Sequence, residues 1–324
     1  MKSVLPVSPD EIASAHRRLH GICHNTLFFT CSALDEQAGC HVYLKGENFQ
    51  RVGAFKLRGA YNFLARLDDA ERARGVVAAS SGNHGQGVAR AGKLLGSPVT
   101  VVVPENIVPA KREAIERDGA EIVVAGLDSS DRIAEARKLA LDRGQTFVHS
   151  FDHPWIVAGQ GTVGKEMLEA VPHLDALVIP IGGGGLAAGI AVWAKARNPR
   201  IRVYGVEPEG CDSMRQSIAS GAPLTIEPTD SIADGLRPST PGAVTYQLCA
   251  ALLDGIVTVS EAELAESVRF LLSRAKVLVE PSGAAGIAAM LYGKLPETHA
   301  SVGTVLTGGN ADFDALARIL RHEV

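Results

Sequence analysis

The fold is decided by the segment VVAASSGNHGQGV, residues 76–88. Its first four residues are apolar and small or β-branched, and they predict a buried strand. A polar turn rich in serine, glycine and asparagine follows, and the pattern over 88–95 predicts a helix. A strand that passes through a short turn into a helix is typical of half a βαβ unit, in which the next strand lies parallel to the first.

The same alternation of apolar runs and helical patterns continues over the whole chain. Further strands are predicted at 99–103, 121–124, 176–179, 202–206, 256–259 and 304–306, and helices at 110–117 and 132–141. Ser8 with Glu11, and Ser260 with Glu263, have the spacing of capping boxes. We therefore expect an α/β protein with parallel strands flanked by helices, which binds ligands beyond the carboxyl ends of the strands.

The composition excludes several classes of function. The chain has 324 residues, a formal net charge of −4 and no Lys/Arg-rich run, so a nucleic-acid surface is not expected. No apolar stretch is long enough for a membrane span, and the N-terminus lacks the apolar core of a signal peptide. The five cysteines form no Cys-x-x-Cys pair, which argues against disulfides and zinc and favours a cytoplasmic protein.

A lysine stands in an unusual setting in GAFKLRG, residues 53–59. Most helical lysines are solvated surface groups, and Lys56 precedes a helical pattern. Here, however, Gly53 and Gly59 allow a ligand to approach closely, and Phe55 can lie against a flat ring. Because burial lowers the pKa of a lysine, its neutral amine becomes available as a nucleophile and a base.

Two loops could bind anions. The loop at 80–87 follows a strand and opens a helix, so it suits a substrate carboxylate, with a capped turn as the structural alternative. GGGGLAA, residues 182–188, follows the strand at 176–179 and could cradle a phosphate. Gly183, Gly185 and Ala188 also satisfy G-x-G-x-x-A, with Glu207 near the place of a ribose-binding acid, so a dinucleotide is the alternative.

Two further loops follow strands. TGGN, residues 307–310, begins with Thr307, whose hydroxyl could bond a pyridine nitrogen or serve the fold alone. EPEGCDS, residues 207–213, could hold a hard cation or form a solvated acidic turn. Together, a lysine, a polar amide loop, an anion cradle and a hydroxyl are the groups that a protein needs to hold pyridoxal phosphate.

In combination, these motifs resemble those of the fold-type-II pyridoxal-phosphate enzymes, and within them the serine/threonine dehydratase and serine racemase family. The resemblance runs from ENFQ at 47–50 to TGGN at 307–310 and includes AGQGT at 158–162 and EPSGAA at 280–285. It implies a tryptophan synthase β-like fold, with two open, twisted, mostly parallel sheets and the cofactor in the cleft between domains. The large domain would comprise 1–69 and 150–324, and the small, mobile domain 70–149.

The resemblance also implies roles for individual residues. Lys56 would carry the cofactor as a Schiff base and act as the catalytic base, and Ser81 matches the catalytic base that acts on the opposite face in the racemases. Cofactor contacts are implied for Phe55, Asn83, Gly182, Gly183, Gly184, Gly185, Leu186 and Thr307. Substrate contacts are implied for Ser80, Ser81, Gly82, His84 and Arg132.

A divalent cation such as Mg²⁺ is implied at Glu207 and at the carbonyl of Cys211. The chain departs from the family here, because Ser213 stands at the position of the second metal carboxylate and Asp212 lies one place early. Since the chain stops shortly after Thr307, it resembles the short, catabolic enzymes, which have no C-terminal regulatory domain. A homodimer or homotetramer is expected.

The implied activity is that of an ammonia-lyase, which converts L-threonine or L-serine to a 2-oxo acid and ammonia. Two alternatives lie within the family: a lyase acting on 3-hydroxyaspartate or another 3-hydroxy amino acid, and a serine racemase. A nicotinamide-dependent dehydrogenase built on the glycine run is the alternative from a different class. It leaves Lys56, the Asn83 loop and Thr307 without roles.

Overall fold

The predicted alternation of strands and helices is confirmed. A computed structural model describes residues 5–80, 82–127, 129–227 and 230–324. The strands are β1 (Phe28–Thr30), β2 (His41–Gly46), β3 (Val76–Ala79), β4 (Val99–Val103), β5 (Glu121–Val124), β6 (Thr146–Phe147), β7 (Ala176–Pro180), β8 (Arg202–Pro208), β9 (Gly255–Val259) and β10 (Ser301–Leu306).

The helices connect these strands and cover the sheets. They are α1 (Pro9–Leu19), α2 (Ser32–Ala38), α3 (Lys56–Leu64), α4 (Asp69–Arg74), α5 (Asn83–Leu95), α6 (Pro109–Glu116), α7 (Ser129–Arg143), α8 (Pro154–Ala170), α9 (Gly185–Arg197), α10 (Ser213–Ser220), α11 (Ala243–Leu252), α12 (Glu261–Phe270), α13 (Pro281–Leu291) and α14 (Phe313–Leu320). None of them, in the described part of the chain, is both long and apolar enough to span a bilayer.

Six strands form the larger sheet, in the order β1-β2-β10-β7-β8-β9. All neighbours are parallel except β1 and β2. The strand order reverses between β10 and β7. From this point β7, β8 and β9 follow one another toward one edge of the sheet, whereas β10 and β2 lie toward the other edge. The loops that follow β7 and β10 therefore face one crevice, which is where such sheets bind ligands.

Both faces of the larger sheet are buried, as expected for parallel strands. On β7, Leu177 and Ile179 pack into a cluster that contains Ile190 of α9. Val178 points to the other face and packs with Ile287 of α13. This two-sided burial explains why the strand is an unbroken apolar run rather than an alternating one.

The smaller sheet has four parallel strands in the order β5-β4-β3-β6. It lies within residues 76–147, inside the segment for which a small domain is predicted. Its core also includes Leu57 and Phe63 of α3 and Ile156 of α8. Helix α3, which begins at Lys56, therefore packs onto the smaller sheet, and the division of the chain at 69 and 150 stays a prediction.

Some elements differ from the sequence-based expectation. The strands β1, β2 and β6 are not predicted, and α5 begins at Asn83, five residues before the predicted start. Glycines within 83–87 disfavour a helix by propensity. The structure uses Gly87 for a close helix contact, because a Cβ there would lie 3.1 Å from the carbonyl carbon of Lys56. The capping boxes that begin with Ser8 and Ser260 are both formed.

Candidate active site

Lys56 begins α3, beside the segment that follows β6. Its Nζ donates a hydrogen bond to the main-chain oxygen of Ser150 at 3.0 Å and lies 5.1 Å from the centroid of the Phe55 ring. Burial lowers the pKa of Lys56 to about 8, against the opposing effect of the Glu280 carboxylate. Near pH 7 the amine is therefore neutral far more often than that of a solvated lysine.

Asn83 joins two other segments at the start of α5. Its Nδ2 donates to Glu280 Oε1 at 2.6 Å, and its Oδ1 accepts from Asn310 Nδ2 at 2.8 Å. Glu280 precedes α13 and is 4% exposed. Burial, reinforced by the Asp234 carboxylate, raises the pKa of Glu280 to about 7, although the bond from Asn83 opposes this shift.

Two histidines near Lys56 are held neutral. Burial, reinforced by the Lys56 ammonium, lowers the pKa of His84 to about 3. Its Nε2 lies 3.1 Å from the carbonyl of Val148, which can only accept, so Nε2 carries the proton. Burial also lowers the pKa of His149 to about 4, although Asp152 opposes this shift. Neither side chain supplies a positive charge for a substrate carboxylate at neutral pH.

Main-chain donors are available instead in the loop before α5. The N–H groups of Asn83 and His84 have no acceptor among the described residues, whereas Gly82 N–H donates to Ser80 Oγ at 3.1 Å. Free N–H groups at a helix N-terminus suit an anion. Ser81, the predicted second base, lies outside the described residues.

The glycine loop between β7 and α9 offers the same kind of donors. The main-chain N–H groups of residues 182–186 have no acceptor within the described ranges. The loop is packed tightly behind: a Cβ on Gly183 would overlap the Phe151 ring, and one on Gly184, where φ is +93°, would lie 2.6 Å from Met214. Thr245 Oγ1 donates to the Gly183 carbonyl at 2.7 Å and fixes the loop. The arrangement is a cradle for a phosphate.

The segment before Lys56 is tied to the loop after β10. The main-chain oxygen of Thr307 accepts from Phe55 N–H at 3.2 Å, and Ala54 and Gly308 form an isolated antiparallel bridge. Thr307 is 4% exposed. The structure thus brings Phe55, Lys56 and Thr307 together.

Glu207 is fully buried at the end of β8 and caps α10. Its two carboxylate oxygens accept from the main-chain N–H groups of Met214 at 3.0 Å and Arg215 at 2.9 Å. Burial raises the pKa of Glu207 to about 8, although both of these bonds oppose the shift. Asp212 accepts instead from Arg215 and from Gln216. Across the described residues, no group of three or more His, Cys, Asp or Glu side chains could hold a metal ion, and a cation at Glu207 and Cys211 stays a prediction.

Arg132 lies in the first turn of α7, on the same carboxyl edge of the smaller sheet as the loop at 80–84. It donates to the carbonyl of Leu127 at 2.8 Å and to Ser129 Oγ at 2.9 Å. Its contact with a substrate stays a prediction.

Several residues of the site have no role in the sequence analysis. Ser150 contributes a main-chain carbonyl, which no residue type signals. Glu280 and Asn310 lie in the EPSGAA and TGGN motifs, yet only the structure shows that both form hydrogen bonds with Asn83. Lys111 of α6 also has no predicted role, and it donates a hydrogen bond to Asp234 at 2.7 Å. A carboxylate just before Pro281, at a helix start, is the signal that could have identified Glu280.

The residues present fit pyridoxal phosphate. The free N–H groups at 182–186 suit its phosphate, and the lowered pKa of Lys56 suits a link to its aldehyde. His84 Nδ1 is a buried acceptor with no partner among the described residues, so the site has an acceptor that a bound ligand could use. A dinucleotide would leave Lys56 and the Asn83 cluster without a role in ligand binding.

Comparison with known proteins identifies the family. The chain matches the family described as pyridoxal-phosphate dependent enzymes over residues 21–308, and it belongs to that family. It is 42% identical to an L-threo-3-hydroxyaspartate ammonia-lyase of a Pseudomonas species, covering 96% of this chain and 98% of that one. It is 40% identical to an L-threonine ammonia-lyase of Thermotoga maritima, covering 97% and 78%. Maize serine racemase has a similar structure, with a TM-score of 0.92, 35% identity and coverage of 98% and 99%.

Proposed function

We propose that this chain is a pyridoxal-phosphate-dependent ammonia-lyase that removes water from L-threonine or L-serine to give a 2-oxo acid and ammonia. The observation that carries the proposal is Lys56, an amine with a pKa lowered to about 8, beside two loops with main-chain N–H groups that have no acceptor among the described residues. One loop suits the cofactor phosphate and the other a substrate carboxylate. Relatives about 40% identical over nearly the whole chain include ammonia-lyases of both kinds named above.

Lys56 has the chemistry of both the cofactor anchor and the general base. When bound, pyridoxal phosphate supplies an aldehyde that condenses with amines and a ring that delocalises the electrons of the broken α C–H bond. With its Nζ free and neutral, Lys56 would take the α-proton of the substrate. The carbonyl of Ser150 holds Nζ in place at 3.0 Å. The β-hydroxyl leaves as water. The enamine that is released then reacts with water and gives the 2-oxo acid and ammonia.

Substrate orientation is the contribution of the loop at 80–84. A carboxylate bound by the N–H groups of Asn83 and His84 would fix the amino acid at one end, so that its α C–H bond can be presented to Lys56. Because the His84 side chain is neutral and bonded to Val148, we assign its contribution to the main chain. Ser81 and Arg132 complete the proposed substrate contacts.

Two related activities have specific support. The 42% identity with an L-threo-3-hydroxyaspartate ammonia-lyase favours a substrate with a second carboxylate. The structural similarity to maize serine racemase favours a racemase activity, for which Lys56 and Ser81 would act on opposite faces of the substrate. All three activities require the same lysine.

A substrate panel tests these proposals. The purified protein is incubated with L-threonine, L-serine or L-threo-3-hydroxyaspartate, with and without Mg²⁺, and oxo acid, ammonia and enantiomer content are measured. We expect oxo acid and ammonia in equal amounts from at least one substrate. Lys56→Ala should abolish both, whereas Lys93→Ala, in the exposed part of α5, should not. Recovered substrate of inverted configuration without oxo acid would replace the lyase assignment with the racemase.

We further propose a cytoplasmic location and a homodimer or homotetramer. All five cysteines are free thiols, which supports a reducing compartment. Phe49 and Leu278, which are 48% and 37% exposed, lie on segments joined by a bond from Asn48 Nδ2 to the Leu278 carbonyl. Because both side chains are large, apolar and exposed, we assign the self-association surface to this part of the chain. Light scattering of the purified protein gives the assembly mass, and a monomer would contradict the proposal.

A further inference from the structure

We propose that Asn310 is a positioning residue that fixes the direction of the Asn83 side-chain amide, and that its own direction is set by the main-chain carbonyl of Val52. This inference concerns the cofactor site. It rests on the contact that the family resemblance implies between the Asn83 side chain and the hydroxyl oxygen on the cofactor ring, and it holds for a lyase or a racemase alike.

The first link is the carbonyl of Val52. This residue has φ of 62° and ψ of 12°, in the left-handed region, which a β-branched residue rarely adopts. Such strain persists only where surrounding contacts enforce it, and it is common at functional sites. Val52 lies four residues before Lys56, and its carbonyl accepts a hydrogen bond from Asn310 Nδ2 at 2.8 Å.

The second link follows from the chemistry of the amide. A carbonyl can only accept, so the side of Asn310 that faces Val52 must be its NH₂ group. The other hydrogen of the same nitrogen points to Asn83, 2.8 Å away. The atom of Asn83 that meets it must therefore be the oxygen.

The third link places the donor of Asn83. With Oδ1 turned to Asn310, Nδ2 faces Glu280 Oε1 at 2.6 Å. A carboxyl group can accept this bond whether it is ionised or neutral. Nδ2 has a second hydrogen, which has no acceptor among the described residues. This hydrogen is the one that can donate to the ring oxygen of the cofactor.

These bonds give the side-chain amide of Asn83 one defined orientation. If the Asn83 amide turned over, it would present an oxygen to the oxygen of the cofactor ring, and attraction would become repulsion. Asn310 opposes this reversal, because its NH₂ group donates to the Oδ1 atom of Asn83 and is itself held in place by the main-chain carbonyl of Val52. The same residue also links the segment that leads to Lys56 with the helix that starts at Asn83.

Asn310→Asp is the direct test, because the side chain keeps its shape but an ionised carboxylate can only accept. Facing it, Asn83 should turn its NH₂ group toward residue 310. Asn48→Asp is the matched control, since Asn48 contacts the same loop near Gly309 and donates to the carbonyl of Leu278 but not to Asn83. Apo-protein is titrated with pyridoxal phosphate, and the affinity and the visible absorption band are recorded with the melting temperature.

We expect Asn310→Asp and Asn310→Ala to weaken cofactor binding about 10- to 100-fold, the usual effect of losing one hydrogen bond to a charged group. The visible band should shift with it, whereas Asn48→Asp should change neither. In an Asn83→Ala background, Asn310→Asp should add little further loss of affinity, because the two residues act together. Fully additive losses, or a lower melting temperature with unchanged affinity and spectrum, would overturn the proposal. Absence of lyase activity with these binding results intact would reject only the proposed function.

Discussion

The lowered pKa of Lys56 makes a quantitative prediction about how the apo-protein captures its cofactor. Only a neutral amine attacks an aldehyde, and the pKa of Lys56 is lowered from 10.5 to about 8. At pH 7 about 10% of the amine is then neutral, against roughly 0.03% for a solvated lysine. Lys56 should therefore capture the cofactor about 300-fold faster than an exposed lysine of equal intrinsic reactivity.

Stopped-flow absorbance measures this directly. The rate of capture should rise about tenfold per pH unit below pH 8 and level off above it. Glu280→Gln removes the carboxylate that raises the pKa of Lys56, so the inflection should move to lower pH, by up to about one unit. Thr307→Ala keeps this carboxylate and should leave the inflection unchanged. An inflection near 10, or an upward shift in Glu280→Gln, would refute the reasoning.

Three further predictions follow from other parts of the chain. Arg58→Met should lower the free energy of unfolding in urea by about 3–5 kcal/mol, because it leaves Glu47 buried without its ion-pair partner and Glu166 with Lys45 alone; a loss below about 1 kcal/mol would contradict this. Gly183→Ala should weaken cofactor binding in a titration, since the new Cβ overlaps Phe151, and unchanged affinity would count against the cradle. Mg²⁺ at millimolar concentration should raise the melting temperature by less than about 2 °C, because Glu207 already caps α10; a larger rise would support the cation site predicted at Glu207 and Cys211.

The sequence predicts those parts of the fold that have a local cause. The strands β3, β4 and β5 are found at the predicted bounds. β3 and β4 are buried and are therefore continuous apolar runs, whereas β5 is a partly exposed edge strand. The strand β2 is not predicted, since it contains Lys45. The structure buries this lysine by pairing it with Glu166 of α8 at 2.8 Å, and 120 residues of chain separate the two.

The site also contains residues that the sequence predicts and residues that only the tertiary structure reveals. Lys56, Asn83 and the glycine loop are recognisable because their residue types have chemistry of their own. The roles of the Ser150 and Val52 carbonyls cannot be recognised from the sequence, because every residue has a main-chain carbonyl and only the tertiary structure determines where it points. Arg58 is a further example, since its partner Glu166 is 108 residues away. It anchors α3 two residues after Lys56.

The amine of Lys56 should bind the cofactor covalently, and borohydride reduction of the holo-protein is the decisive experiment. Reduction makes the linkage permanent, and peptide mapping by mass spectrometry then locates it. We expect a single pyridoxyl group, on the peptide that contains GAFKLRG and on its lysine. A pyridoxyl group on another lysine such as Lys45 or Lys111, or a holo-protein that acquires none, would contradict the account.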